Sequence, residues 1–246
     1  MKPDPAKLLS ILDMSLPLAG FYDTPDKGLF EPYATARQCV FSCWQDWMQG
    51  KSTWLSQQNL GAIQCPGAGY WNCNVATMPS DRVASFLAEE QGLKASPDLM
   101  CQWLANQRPY KKENDYIVIG PLQRAQYDYL KTITFYGNPD QISMLITGAE
   151  YRNGSASYHP VTAAFGTGCG QLAAVFTDFD RPQAVIGGTD IAARPYLPRD
   201  ILAFTVTKPM FEQLCQLDEK SFLHKSFWHN LRQARDGRSP KKERRS

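Results

Sequence analysis

The sequence predicts an α/β or α+β fold, built as two related α/β units in one compact domain with a shared cleft and a basic C-terminal tail. Three observations predict it. Apolar stretches with strand character alternate with helical text along the chain. One local text occurs twice, Phe21-Tyr22-Asp23-Thr24-Pro25-Asp26 and Phe135-Tyr136-Gly137-Asn138-Pro139-Asp140. Each half also ends in an apolar strand that runs into proline, Tyr116 to Leu122 and Ile201 to Met210. A chain of 246 residues, 43% hydrophobic and 20% charged, can bury such a core.

The elements follow in order. Ala6 to Leu12 reads as a short helix. Leu16 to Ala19 and Thr132 to Phe135 read as strands, each ahead of a Pro-Asp that suits a first helical turn. In the first copy Lys27 to Thr35 is an insertion, then Ala36 to Met48 reads as a helix stopped at Gly50. In the second, Gln141 to Arg152 is the helix, stopped at Asn153-Gly154. Fifteen positions separate Gly50 from Cys65 and Gly154 from Cys169. The two units span about residues 15–125 and 128–217, together a domain over 15–217. Ser80-Asp81 opens a helix that Gly92 ends, and Ser96-Pro97-Asp98 opens another. Residues 218–246 form a C-terminal helix, amphipathic from Asp218 to Gln233 through Phe222, Leu223, Phe227, Trp228 and Leu231, and a basic tail.

Charge narrows the partners. Seven basic and two acidic residues lie between 232 and 246, so this tail carries +5 and the rest of the chain −3 against a net charge of +2. An acidic body argues against nucleic acid, apart from weak contacts by the tail. No run of 18 apolar residues is present, so no membrane helix is expected. The N-terminus shows no secretory pattern, and seven cysteines is an odd number, so the expectation is a cytoplasmic chain with reduced thiols. An unidentified small molecule is the expected partner, and the oligomeric state is left open.

The cysteines carry the candidate chemistry. Cys39 and Cys43 are spaced to share a helix face. Cys65 precedes Pro66-Gly67-Ala68-Gly69, and Cys169 sits between Gly168 and Gly170. Small residues let backbone amides approach whatever the sulfur holds, which makes Gly67, Gly69, Gly168 and Gly170 candidate cofactor-binding positions. Cys73 can reach the same point after one loop. Cys101 and Cys215 read as core. No Cys-x-x-Cys pair occurs, and neither dinucleotide nor phosphate-loop fingerprints are complete. His159, ten residues before Cys169, is a candidate base for a Cys169 nucleophile.

The ordered set Ala36-Arg37-Gln38-Cys39, Cys65-x-Gly67-Ala68, Gly120-Pro121-Leu122, Gly137-Asn138-Pro139-Asp140-Gln141, Cys169 and Arg194 resembles the uncharacterised archaeal and bacterial family known as domain of unknown function 169. The resemblance spans about residues 15–217. It implies a cytosolic protein with recurrent thiols at Cys39, Cys65 and Cys169 and no established reaction. A further family cysteine is missing here, and Asp190 stands in that region.

Three readings follow. The first is a thiolate metal or iron–sulfur protein, with Cys39, Cys65 and Cys169 joined by Cys73 or Asp190 around a cluster or a single iron or zinc ion. The second is a metal-free enzyme with Cys169 as nucleophile and His159 as base. The third is a small-molecule or anion-binding module that uses the Gly-rich turns.

Overall fold

The computed structural model describes residues 2–35, 39–59, 67–73, 81–166, 168–235 and 237. Seven strands form one mixed sheet in the order β2-β3-β1-β4-β7-β6-β5. They are β1 Ala19–Thr24, β2 Thr53–Leu55, β3 Tyr116–Pro121, β4 Leu130–Gly137, β5 Val161–Ala163, β6 Ala184–Gly187 and β7 Leu202–Thr207. Every neighbouring pair is antiparallel except β5 with β6, which is parallel.

The sheet separates two cores. Side chains alternate across a strand, so Phe21, Ile117, Ile119, Tyr136 and Ala203 enter the first core and Tyr22, Val118, Phe135, Phe204 and Val206 the second. The second core is closed by α1 (Ala6–Leu12), by the helix Pro139–Glu150, by the helix Lys208–Cys215 and by Trp228 of the C-terminal helix Ser226–Arg235. The first core is closed by α2 (Trp44–Met48), a π-helical turn Ala68–Asn72 and the helices Asp81–Ser85 and Pro97–Ala105. We label these remaining helices in chain order as α3 (Asp81–Ser85), α4 (Pro97–Ala105), α5 (Pro139–Glu150), α6 (Lys208–Cys215) and α7 (Ser226–Arg235). Among the described residues, no helix is long and apolar enough to cross a membrane.

Local chemistry explains the helix starts. Asn138 accepts from the Gln141 amide at 3.0 Å, while the Gln141 side chain accepts from the Asn138 amide at 2.9 Å. This reciprocal box, with Pro139 in the first turn, starts α5 two residues before the expected Gln141. Ser96 caps α4 through the Leu99 amide at 3.3 Å, as its sequence predicts.

Other elements differ from expectation. The first strand lies C-terminal to Leu16–Ala19, so Phe21 and Tyr22 lie inside β1. Pro17 has no amide to give a sheet ladder, whereas Phe21 and Tyr22 each fill one core. The expected helix 36–48 is a 3-10 turn, Val40–Cys43, running into the five residues of α2. Cys39 precedes that turn in extended backbone, so it does not stack on Cys43 one helical turn away. The expected helix 218–233 is split into a 3-10 turn, Phe222–His224, and α7, and Phe227 is 85% exposed.

The two Phe-Tyr pairs lie on adjacent central strands, β1 and β4. They are out of step: Phe21 shares a core with Tyr136, and Tyr22 with Phe135. A two-fold axis normal to the sheet keeps equivalent residues on one face, so the two pairs do not superpose about such an axis. Of the tail, residues 236 and 238–246 lie outside the described residues. Arg235, just before it, holds Asp140 through two bonds of 2.7 and 2.9 Å and keeps that carboxyl below its ordinary range. Shortening the chain after Arg235 is expected to leave the melting temperature nearly unchanged, since no described core side chain lies beyond it. A drop of many degrees in a melting scan would contradict this.

Candidate functional site

A cleft of about 850 Å³ opens on the first-core side of the sheet. One wall is Trp103 and the segment Asn106–Lys111 that follows α4. The other comprises Thr162–Phe165 and Ala174–Asp180, and Val185 and Lys131 reach it from the sheet. Its apolar lining combines aromatic rings with Pro109, Val175, Val185 and three alanines. Trp103 meets Phe165 edge-on at 5.2 Å, Tyr110 meets Phe179 at 5.5 Å, and Phe176 lies 6.0 Å from Phe179. Lys94 sits over the Phe165 ring at 4.0 Å and the Trp103 ring at 5.9 Å. Gly166 has φ +92°, and an added Cβ would come within 2.5 Å of the Trp103 ring. The position therefore needs glycine both for its backbone and for the indole above it.

A buried carboxylate builds the first wall. Asp23, in β1, is 1% exposed. It accepts from the Tyr110 hydroxyl at 2.8 Å, from the Glu113 amide at 2.7 Å and from the Asn114 amide at 2.8 Å. Such a charge is tolerable in a core only when its oxygens are this fully bonded. Three residues of the segment after α4 are thereby pinned to the central strand. Burial and the Asp23 charge push the Tyr110 hydroxyl far above its ordinary titration range, so it stays a donor.

A strand irregularity places Lys131. Tyr22 pairs with Leu130 and Phe21 with Thr132, so β4 carries one extra residue opposite β1. This is a β-bulge, which re-aims a side chain. Lys131 lines the cleft and meets Glu113 at 2.6 Å. Arg108 and Lys111 add positive charge, and Asp178 and Asp180 negative charge, so the walls are balanced.

None of these residues was a candidate from sequence. Asp23 was visible as an acid inside an apolar strand-like run. Lys131 was visible as a charge in Leu130-Lys131-Thr132-Ile133 that breaks strict alternation. Neither signal says what the side chain touches.

Among the described residues, none of the sequence-derived candidates lines this cleft. Cys65 lies outside the described residues. Cys39 is half-buried against the first core, and Cys73 and Cys169 are buried in it. Gly67 precedes the π-helical turn and Gly69 lies within it. That turn packs against the 3-10 turn Gly170–Leu172, which Cys169 precedes, so the structure brings the two Gly-rich segments together. Asp190 also arrives there, but as a backbone partner. Its carboxylate accepts from the Gly168 amide at 2.5 Å and the Ala192 amide at 3.0 Å. The Gly168 amide that an anionic ligand would use is thus engaged by the protein's own carboxylate. Arg194 donates to the carbonyls of Gly188, Pro198, Arg199 and Ile201 and closes the same loop. His159 lies on the exposed loop before β5, whereas Cys169 is 4% exposed. Among the described residues, no group of three His, Cys, Asp or Glu side chains converges to hold a metal ion.

Burial pushes the Cys73 thiol up to about 12, with Lys112 pulling it down and Asp23 pushing it up. Cys73 is therefore expected to resist alkylation by iodoacetamide at pH 8 in the folded chain and to react once the chain is unfolded. Mass spectrometry of the labelled peptides reads this, and rapid native labelling would refute it. The stability consequence has a definite sign. The unfolded thiol ionises near its ordinary value of 9.0 while the folded one does not. The folded state then binds more protons, so stability falls as pH rises from about 9 to about 12.

One family model matches residues 20–216, that of DUF169, described as uncharacterised ArCR. No curated protein and no solved structure matches.

Proposed function

The chain belongs to the DUF169 family over residues 20–216, and from that premise we propose that it is a small-molecule-binding domain whose ligand sits in the cleft between Trp103–Lys111 and Thr162–Asp180. The observation that carries this is the convergence on one concave surface of aromatic walls with a bulge-presented lysine, Lys131. Ligand sites combine an apolar lining with a few fixed polar groups in this way. Balanced acids and bases favour a molecule with a flat apolar body and both charges, an aromatic amino acid being the simplest member of that class.

The test is a thermal-shift series with phenylalanine and tryptophan, against alanine and inorganic phosphate as comparators. A ligand at 100 times its dissociation constant stabilises by about 2.7 kcal/mol, which is a rise of roughly 5–10 °C in a domain of this size. Trp103→Ala and Lys131→Ala are each expected to remove most of that rise. An undiminished shift in both variants, or none in the parent, would reject the reading.

A further inference from the structure

The sheet order leaves β5 outermost, with β6 as its neighbour. The backbone groups of β5 divide between two sides. The Ala184 amide donates to the Pro160 carbonyl at 2.7 Å, and the Ala164 amide donates to the Ile186 carbonyl at 2.8 Å. In a parallel pair, a strand turns alternate residues toward its neighbour. Residues 160, 162 and 164 therefore face β6, and the N–H and C=O groups of Val161 and Ala163 point away from the sheet. Among the described residues, no backbone partner closes these outward groups. Such a row is a ready template for another strand.

This open edge faces the cleft. A strand that turns its flat face to a cavity lends it alternate residues, because successive side chains point to opposite faces. Here four consecutive residues, Thr162, Ala163, Ala164 and Phe165, line the cleft, so the chain presents its edge. Thr162 and Ala163 are exposed. Trp103 meets the Phe165 ring just beyond the end of β5, at the start of the opposite wall. The volume of about 850 Å³ lies near the top of the range of about 300–1,000 Å³ for ligand pockets, more than one amino acid fills. The lining charges stand apart. Arg108 and Lys111 belong to the first wall and Asp178 and Asp180 to the second, and among the described residues none of the four forms an ion pair. The Lys131 charge is already matched by Glu113.

We infer that the cleft ligand is a short extended peptide that adds to β5 as a further strand, an inference that rests on the cleft being the binding site. The peptide's main-chain N–H and C=O groups pair with those of Val161 and Ala163, and its side chains alternate above and below the sheet. An aromatic side chain among them meets the Trp103 and Phe165 rings. The three residues of β5 match a tripeptide, about 10 Å long at about 3.3 Å per residue. The charges complete the fit. A peptide carries its ammonium and its carboxylate at separate ends, so each can face the wall of opposite sign. In a free amino acid both charges are held on one carbon and cannot divide between the walls.

The probes are the tripeptide Ala-Phe-Ala, the same tripeptide with both internal amides N-methylated, and free phenylalanine, each titrated calorimetrically into the full chain. Two main-chain hydrogen bonds of ordinary net strength make Ala-Phe-Ala bind about tenfold tighter than phenylalanine. The N-methylated tripeptide should lose that gain. On the protein side, Ala163→Pro deletes an outward N–H and no bond to β6, a position where an edge strand tolerates proline. In that variant the ratio of tripeptide to phenylalanine affinity should collapse, and an unchanged ratio overturns the inference. If the variant fails to fold, the N-methylated peptide decides alone. Phenylalanine binding that Ala-Phe-Ala does not exceed, or an N-methylated peptide as tight as its parent, overturns the inference and leaves the cleft reading standing. No binding by any of the three probes overturns both.

Discussion

Asp23→Ala is expected to lower the melting temperature by roughly 10 °C and to abolish ligand binding in the cleft. The reasoning starts from the three donors that Asp23 holds, the Tyr110 hydroxyl and the Glu113 and Asn114 amides. Hydrogen bonds to a buried charge contribute about 1.5–3 kcal/mol each, and truncation leaves their donors without partners. These losses are not additive, and about 3–5 kcal/mol is a reasonable total for breaking such a centre. In a domain of this size each kcal/mol is worth about 2–4 °C. The carboxylate holds the Glu113 and Asn114 amides directly, so hydrogen exchange at these two positions should speed up along with the loss of stability. Tyr110→Phe, which removes one donor of three, should fall between parent and Asp23→Ala. A variant that melts with the parent would show that the carboxylate is dispensable.

The second large effect is expected at Gly187. A side chain there enters the space of the Gln171 carboxamide, and Gln171 is 1% exposed with no room to swing away. Gly187→Val should therefore expel Gln171 and break its bond to the Gly188 amide. Overpacking costs about 1–3 kcal/mol, and the two polar groups left unpaired add about 1–3 kcal/mol each. Loss of soluble expression is a possible readout of so large a change, so the cleaner measurement is a double-mutant cycle. Gln171→Ala alone should also destabilise, through the orphaned Gly188 amide. Combined with Gly187→Val it should cost much less than the two single changes together, because the shortened side chain makes room for the valine. Strict additivity in chemical denaturation would mean that the two residues do not compete for the same space.

The extent to which the site was legible follows from which interactions are local. Asn138, Pro139 and Gln141 start α5 through bonds within four residues, and Ser96 and Pro97 start α4 likewise. Sequence shows such starts directly. The strands Tyr116–Pro121 and Leu202–Thr207 were readable because apolar runs ending at proline leave little alternative. The ordered motifs also identified the family, since order along the chain is itself a sequence property.

The cleft was not readable, because nothing local marks it. Asp23 and Glu113 are 90 positions apart, and only the pairing of β1 with β3 brings the segment after α4 to the carboxylate. Lys131 enters the cleft because β4 has one residue more than β1 needs at that point, a matter of register between two strands. The expected stacking of Cys39 on Cys43 failed for a related reason. Spacing predicts a shared face only if the backbone stays helical, and Cys39 is extended so that Val40 and Phe41 can fill the first core. By itself the sequence determined the mixed α/β composition, the start of α4, the family and the thiol-bearing segments. Tertiary structure alone decided which of those segments meet, which amides were already taken by Asp190, and where the concave surface lies. Helix caps and strand text are settled by neighbours a few residues away, whereas a cleft is settled by contacts between residues distant in the chain.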